Sequence, residues 1–384
     1  MKPRLLAQDF VEVARCSPPL ITDDQALTRL PGGRLLATFT FRDPQDPVQN
    51  NPERFRLARS IDDGRTWEQL APHELTVAMP LVHENRLFLL GNALGRRDII
   101  ITRSDDEGES WCPPVTLFEG AFWNAPTAMA TMDGRVYRAF TVGPPQGPWE
   151  YGSVVVIAGD LSRDLLDPGA WRLSNEVRYP GTPRELVCNR YPDHWTNHWL
   201  EPNVVSVAGR IRVLVRTRMD GYATSGMCAV CDLTHENGPL SLRFTQFHPM
   251  PGGQNKFHIV YDAAQRLFWT TVNLPTDTQD IQDREGRLKA QGFAGRPGNE
   301  RRFLFLQYSV DALNWFPAGC VAMWHKTSQS FHYVGPLIDG NDLLLLTRTS
   351  RDAANQHDSE LVTLHRVKDF RSLAFDLYAR FDAD

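Results

Sequence analysis

The sequence predicts an all-β protein, a β-propeller of six blades with four antiparallel strands in each blade. A strand–turn–strand unit recurs six times along the 384 residues, and a Ser-x-Asp turn recurs after the second hairpins of several units. No long amphipathic helical period competes with that pattern, and no apolar run reaches the roughly 18 residues of a membrane helix. Apolar residues make up 42% of the chain, enough to fill a core between sheets.

The first hairpins follow one another at 26–42, 75–93, 124–143, 201–218, 256–274 and 333–350. Most place a Gly, Asn or Asp turn between runs of alternating or β-branched apolar residues, which is a hairpin signal. A second hairpin follows each, beginning at Arg54, Asp98, Ser153, Gly226, Phe303 and Glu360. A unit of this kind cannot bury its faces alone, so the whole chain 1–384 is expected to close as one domain. Insertions near 160–198 and 276–301 stretch the spacing and are expected on the binding face.

The tails of the second hairpins carry the other signal. Ser60-Ile-Asp62-Asp-Gly64-Arg-Thr66-Trp67 and Ser104-Asp-Asp106-Glu-Gly108-Glu-Ser110-Trp111 are near-identical, and Ser309-Val-Asp311-Ala-Leu-Asn-Trp315 is a shortened copy without the Gly. In such a turn the Asp accepts backbone N–H groups, the Gly takes a permissive φ, and the Trp wedges into the core.

Charge and cysteine use narrow the function. Forty-one basic residues against 46 acidic ones give a net charge of -5, which argues against nucleic acid or an anionic membrane as the partner. The six cysteines have no framework spacing. Cys228 and Cys231 lie on a predicted strand, where residues three apart point to opposite faces and cannot grip one metal. Reduced thiols, and a Met1–Leu20 stretch without an apolar signal core, predict a cytoplasmic protein.

The Ser-x-Asp turns are Asp boxes of the BNR type, and the arrangement resembles the sialidase-like superfamily of six-bladed propellers. That resemblance implies a glycosidase, a hydrolase acting on carbohydrate, with its site on the channel axis and its boxes structural. It further implies an arginine triad for a substrate carboxylate, an Asp acid/base, and a Tyr nucleophile assisted by a Glu. The stretch Trp199-Leu-Glu201-Pro-Asn-Val-Val, with Gly209-Arg and Val215-Arg216-Thr217, is similar to the family's E-P-x-V-V…G-R…R-[ST] segment. The resemblance therefore makes Glu201 the Tyr partner, Arg216 a triad arginine and Tyr333, ahead of Asp339-Gly340, the nucleophile. It makes Arg302 the third arginine, with Arg301 as the neighbouring alternative, and Asp46 the acid/base, with Asp43 beside Arg42 as its rival.

One departure stands out. The family's first arginine belongs to an R-I-P motif, but the matching place here reads Ile21-Thr22-Asp23-Asp24-Gln25. An Asp in a carboxylate clamp repels an acidic sugar, which argues against sialic acid, while Asp23 or Asp24 suits neutral hydroxyls. Equivalent positions in other repeats add Asn124, Lys256, His258, Arg218, Asn273 and Arg348 as substrate contacts. His194 and His198 are four apart but lack a third ligand, so no metal or other cofactor is expected. Trp195, Trp199 and Trp123 are candidate sugar platforms. The leading expectation is an exo-acting glycoside hydrolase using Tyr333 and Glu201. The alternatives are a propeller lyase acting on a uronide through a His or Tyr base, and a non-catalytic glycan-binding propeller. An oligomer is compatible with the polar 276–301 insertion.

Overall fold

Each recurrent unit folds as two consecutive hairpins whose strands pair in chain order, because short turns leave antiparallel neighbours as the only partners in reach. The computed structural model describes residues 4–46, 51, 54–143, 152–186, 198–219, 226–235, 239–278, 290 and 297–378. Six antiparallel sheets form a six-bladed propeller. From the axis outward, blade 1 runs Ile21–Arg29, Leu35–Arg42, Phe55–Ser60, Glu68–Gln69, and blade 2 runs Thr76–His83, Arg86–Asn92, Ile99–Ser104, Val115–Phe118. Blade 4 comprises His198–Val207, Arg210–Arg218, Met227–Thr234 and Ser241–Pro249; blade 5 comprises Ile259–Asp262, Leu267–Asn273, Phe303–Ser309 and Phe316–Met323.

Blade 3 is built on Arg135–Val142 and Ser153–Asp160, and its inner strand is split into Phe122–Trp123 and Ala130–Met132. Pro126, which has no N–H for the ladder, lies in the gap. Blade 6 contains Ser330–Asp339, Asp342–Ser350 and Leu361–Val367, and its outermost strand comes from the other end of the chain, Phe10–Arg15. The repeat pattern does not identify that strand, because its partner lies some 350 residues away (Phe10 opposite His365). The pairing closes the ring and covers an edge that would otherwise be open.

The core is divided into wedges. Six apolar clusters each join two neighbouring blades; one gathers Leu36, Phe55, Leu57, Leu87 and Leu89 of blades 1 and 2. Cys228 and Cys231 belong to different wedges, one toward blade 5 and one toward blade 3, as strand alternation requires. The three Ser-x-Asp turns share one construction. Asp62 Oδ1 accepts the N–H of Thr66 at 2.9 Å, Asp106 Oδ1 that of Ser110 at 2.9 Å, and Asp311 Oδ1 that of Asn314 at 2.8 Å.

One backbone irregularity recurs on the axis. The inner strands of blades 1, 2, 4 and 6 each contain a bulge at the same register. Its first residue has positive φ: Asp24 at 57°, Val77 at 48°, Glu201 at 55° and Tyr333 at 52°. Non-glycine residues seldom occupy this region, and they cluster where surrounding structure holds a side chain in place. Neighbouring blades supply that hold. Arg138 Nη2 donates to Val77 O at 2.8 Å, Thr127 Oγ1 to Pro202 O at 2.6 Å, and Lys256 Nζ to Val334 O at 3.2 Å.

Candidate functional site

The bulges of blades 4 and 6 turn Glu201 and Tyr333 toward one shared arginine. Arg216, on the second strand of blade 4, is fully buried and donates from Nη1 to Glu201 Oε2 at 2.6 Å and to the Tyr333 hydroxyl at 3.1 Å. Its Nε donates to Gln254 O at 2.8 Å, which fixes the plane of the guanidinium. Burial by itself disfavours the Arg216 charge, but Glu201 and Tyr333 more than offset it and keep the guanidinium protonated. Tyr333 is half-buried, so its ring remains open to a ligand while Glu201 is covered.

Cations surround that ring. The charged groups of Arg348, Arg301, Arg216 and Lys256 lie 5.0, 5.3, 5.9 and 5.9 Å from its centroid. Such proximity puts four cationic groups within cation–π range of one ring. Lys256 is lowered to about 8, first by burial and then by Arg348, with Glu201, Asp24 and Asp23 opposing. Arg301 is lowered to about 10 by burial together with Arg216 and Arg348. Among the described residues, Arg301 Nε and Nη1, Arg216 Nη2 and Arg348 Nε are buried without a hydrogen-bond partner, an arrangement that costs stability unless an anion completes it.

Asp23 bridges the two sides of the ring closure. Its carboxylate accepts from Arg348 Nη1 at 2.7 Å and from Arg42 Nε at 2.9 Å. Burial would raise Asp23, but Arg348 and Arg42 overcome it and hold the carboxyl well below the usual range. Asp24, also buried, shares the field of Lys256, Arg42 and Arg138.

Several expected contacts lie elsewhere. Arg302 is outside the cluster: it pairs with buried Glu300, Nε to Oε1 at 2.6 Å, and covers the Phe303 ring, while Arg301 approaches Tyr333. Consecutive residues of an extended segment point opposite ways, so only one of the two can face the axis. Trp199 is not a sugar platform. It is wholly buried between blades 3 and 4, against Tyr179 and Phe244. The Asn124 amide donates to Thr127, Ala139 and Pro202, making it a brace between blades 3 and 4. Asn273 likewise donates to the carbonyls of Arg301, Phe303 and Phe331 and so positions Arg301.

His258 lines a separate, mostly apolar axial cavity of about 630 Å³ bounded by inner strands such as Leu27, Val204 and Leu337. Arg218 stands next to Arg216 in the field of the cluster, lowered to about 9 by burial and then by Arg216. Asp43 and Asp46 follow Arg42 on the loop between the second and third strands of blade 1, and both face Arg54, at 3.6 and 3.2 Å. Trp123 packs with Val77, Ala125 and Leu200, under the Arg96 guanidinium. His194 and Trp195 lie outside the described residues, as does the side chain of His198.

One constellation escaped the sequence reading. The loop 351–360 of blade 6 brings His357 edge-on to Tyr333, ring centroids 6.3 Å apart at 85°. His357 Nδ1 bonds Asp358 Oδ1 at 2.9 Å. Adjacent His and Asp on a polar loop carry no periodic signal, so only the folded blade reveals them. No group of His, Cys, Asp and Glu among the described residues is arranged to hold a metal ion.

No protein-family model and no curated protein matches the chain. Solved structures do. An α-L-arabinanase of Penicillium chrysogenum, complexed with arabinobiose, aligns with TM-score 0.56 at 14% identity over 96% of this chain and 99% of its own. A sialidase of Trypanosoma rangeli in complex with sialic acid aligns with TM-score 0.59 at 14% identity over 95% of this chain, which spans 59% of the sialidase. An α-L-arabinofuranosidase of Fusarium graminearum with arabinobiose aligns with TM-score 0.54 at 12% identity over 94% of this chain and 98% of its own. The fold is thus that of the sialidase-like six-bladed propellers, and glycoside hydrolases are among the proteins that share it.

Proposed function

We propose that the chain is an exo-acting, retaining glycoside hydrolase for a terminal sugar that carries a carboxylate. The carrying observation is the single Arg216 nitrogen joined to both Glu201 and the Tyr333 hydroxyl inside a ring of cations. A neutral tyrosine approaches an anomeric carbon beside a carboxylate more readily than an anionic nucleophile does, and sialidases are the known users of that solution. In this reading Glu201 draws the phenolic proton as the Tyr333 oxygen bonds to the anomeric carbon, and Arg216 holds acid and phenol in register. Asp23, the residue that argues against an acidic sugar, is already neutralised by Arg42 and Arg348. The remaining positive charge of Arg216, Arg301 and Lys256 outweighs the negative charge of Glu201 and Asp24 and favours an anionic substrate.

The test is a release assay with wild-type protein on sialosides, uronides, neutral hexosides and arabinofuranosides. The expected result is release of an acidic sugar, lowered at least about a thousandfold by Tyr333→Phe. Release of neutral sugars alone overturns the carboxylate. An unsaturated, ultraviolet-absorbing product identifies a lyase instead, and saturable binding without turnover identifies a glycan-binding propeller.

A further inference from the structure

We infer that His357 is the proton-transfer residue of this site, with Asp358 and Asn355 as its positioning residues, in place of Asp43 or Asp46. The inference rests on the hydrolase reading above and assigns the acid/base role which that reading leaves open.

The loop that carries His357 is locked on every side. Asn355 Oδ1 accepts the N–H groups of His357 and Asp358 at 2.8 and 2.9 Å, and its Nδ2 donates to Asp358 Oδ2 at 2.8 Å. The Asp358 carboxylate is thus shared between Asn355 and the His357 ring. Arg348 Nη2 donates to His357 O at 2.6 Å, and the buried Gln356 accepts Arg301 N at 2.8 Å and donates to Thr327 O at 2.6 Å. The arginines beside Tyr333 and the imidazole are therefore fixed to one another through two residues of backbone.

The bond to Asp358 sets the tautomer. With Nδ1–H donated to a carboxylate, the lone pair of the neutral ring stands on Nε2, the nitrogen free to exchange a proton with a substrate. The His357 side chain is one-third exposed, at 33%, so that proton can come from solvent. An orienting carboxylate and an imidazole thus stand beside the ring of Tyr333, a grouping of the kind from which acid–base residues are assigned. Asp43 and Asp46 instead share Arg54.

The charged and titratable groups around the ring are Asp358 on its own loop, Arg348, His332 and Tyr333 in blade 6, Arg301 in blade 5 and Asp23 in blade 1. Burial lowers the imidazole, Asp358 pulls it back, and Arg348 and Arg301 lower it again. A substrate carboxylate set on those arginines opposes their part of that lowering and so favours the protonated ring.

In the first step the Tyr333 oxygen–carbon bond forms and the glycosidic carbon–oxygen bond breaks. The leaving oxygen takes the Nε2 proton, and Glu201 takes the phenolic one. In the second step water attacks the anomeric carbon and yields a proton to Nε2. The bond to Tyr333 breaks, and Glu201 returns its proton to the phenolate oxygen.

The experiment compares alkyl and dinitrophenyl glycosides of the acidic sugar that the wild-type chain releases. His357→Ala is expected to lower turnover of the alkyl glycoside about 10²- to 10⁴-fold and that of the dinitrophenyl glycoside less than about tenfold, because a good leaving group needs no proton. Added azide is expected to restore dinitrophenyl turnover by replacing water as the nucleophile. Asp43→Asn and Asp46→Asn are expected to lower both substrates alike. His357→Asn, with thermal melts of both variants, separates misfolding from chemistry. Equal losses on both glycosides in folded His357 variants, or a leaving-group split in Asp43→Asn or Asp46→Asn, overturn the assignment and leave the hydrolase standing. A wild-type chain that releases no sugar removes both.

Discussion

Arg301 and Arg302 are the same side chain at adjacent positions, and the structure gives them opposite surroundings. The sequence makes both candidates, because the strand that follows opens on four consecutive apolar residues, Phe303 to Leu306, and so does not mark which face is inward. What decides between them is Glu300, whose buried carboxylate receives Thr276 and Arg302 and leaves Arg301 to the axis. A buried guanidinium meeting a carboxylate is worth several-fold in affinity for each charge-assisted bond. Arg301→Met is therefore expected to raise KM for the acidic sugar about 10- to 100-fold. Arg302→Met is expected to shift it less than about threefold, because Arg302 meets Glu300 rather than the ring of Tyr333, and to appear instead as lost stability, since it leaves the buried Glu300 carboxylate without its arginine. Steady-state kinetics on the released sugar check this, and equal effects would place the clamp elsewhere. Glu201, Arg216 and Tyr333 were legible because each sits in a motif or beside a turn. His357 and Asp358 were not, since nothing in a polar loop says which blade edge it will cross. Trp199 misled because an aromatic ahead of an inner strand reads the same whether it faces the mouth or the wedge between blades.

At the scale of elements, the hairpins and the Ser-x-Asp turns were written in the sequence, as turn residues at fixed offsets from apolar runs. The bulges were not. Asp24, Val77, Glu201 and Tyr333 share no residue type, and their common backbone conformation is imposed by the neighbouring blades. The turns give a direct comparison of space with strain. Gly64 has φ +85°, and a Cβ there would lie 2.4 Å from Leu364 Cδ2, inside the wedge between blades 6 and 1. Gly209 has φ +73° but meets nothing within 4 Å. Gly209→Ala is expected to cost about 1 kcal/mol for the left-handed backbone alone, and Gly64→Ala about 2–3 kcal/mol once overpacking is added. Denaturant unfolding of the two variants tests the difference, and similar losses would show that the wedge yields without strain.

For the whole molecule, six blades and their cyclic order followed from repetition, whereas the closing strand Phe10–Arg15 did not, because it shares a sheet with residues at the far end of the chain. The same closure buries ionisable groups that local sequence cannot flag. His258 and His332 are held well below their ordinary value of 6.5, first by burial and then by nearby cations. His365, bonded to Ala7 O at 2.8 Å, is lowered to about 4 by burial. Below 6.5 the unfolded chain binds protons that the folded one refuses, so stability present above that pH is lost as the pH falls. The loss continues to about 4 for His365, each group contributing up to about 1.4 kcal/mol per pH unit. Urea unfolding between about pH 7 and 5 is expected to show this decline, flattened by roughly one proton in His365→Gln; a level profile would mean that the histidines charge in the folded state. Val77 adopts the same kinked backbone as Asp24, Glu201 and Tyr333, yet carries only an isopropyl group against Trp123, Ala125 and Leu200. The torus therefore holds a fourth seat of the same backbone shape furnished only with hydrocarbon, wedged against blades 3 and 4, where a charged side chain would have to shed its water among apolar neighbours.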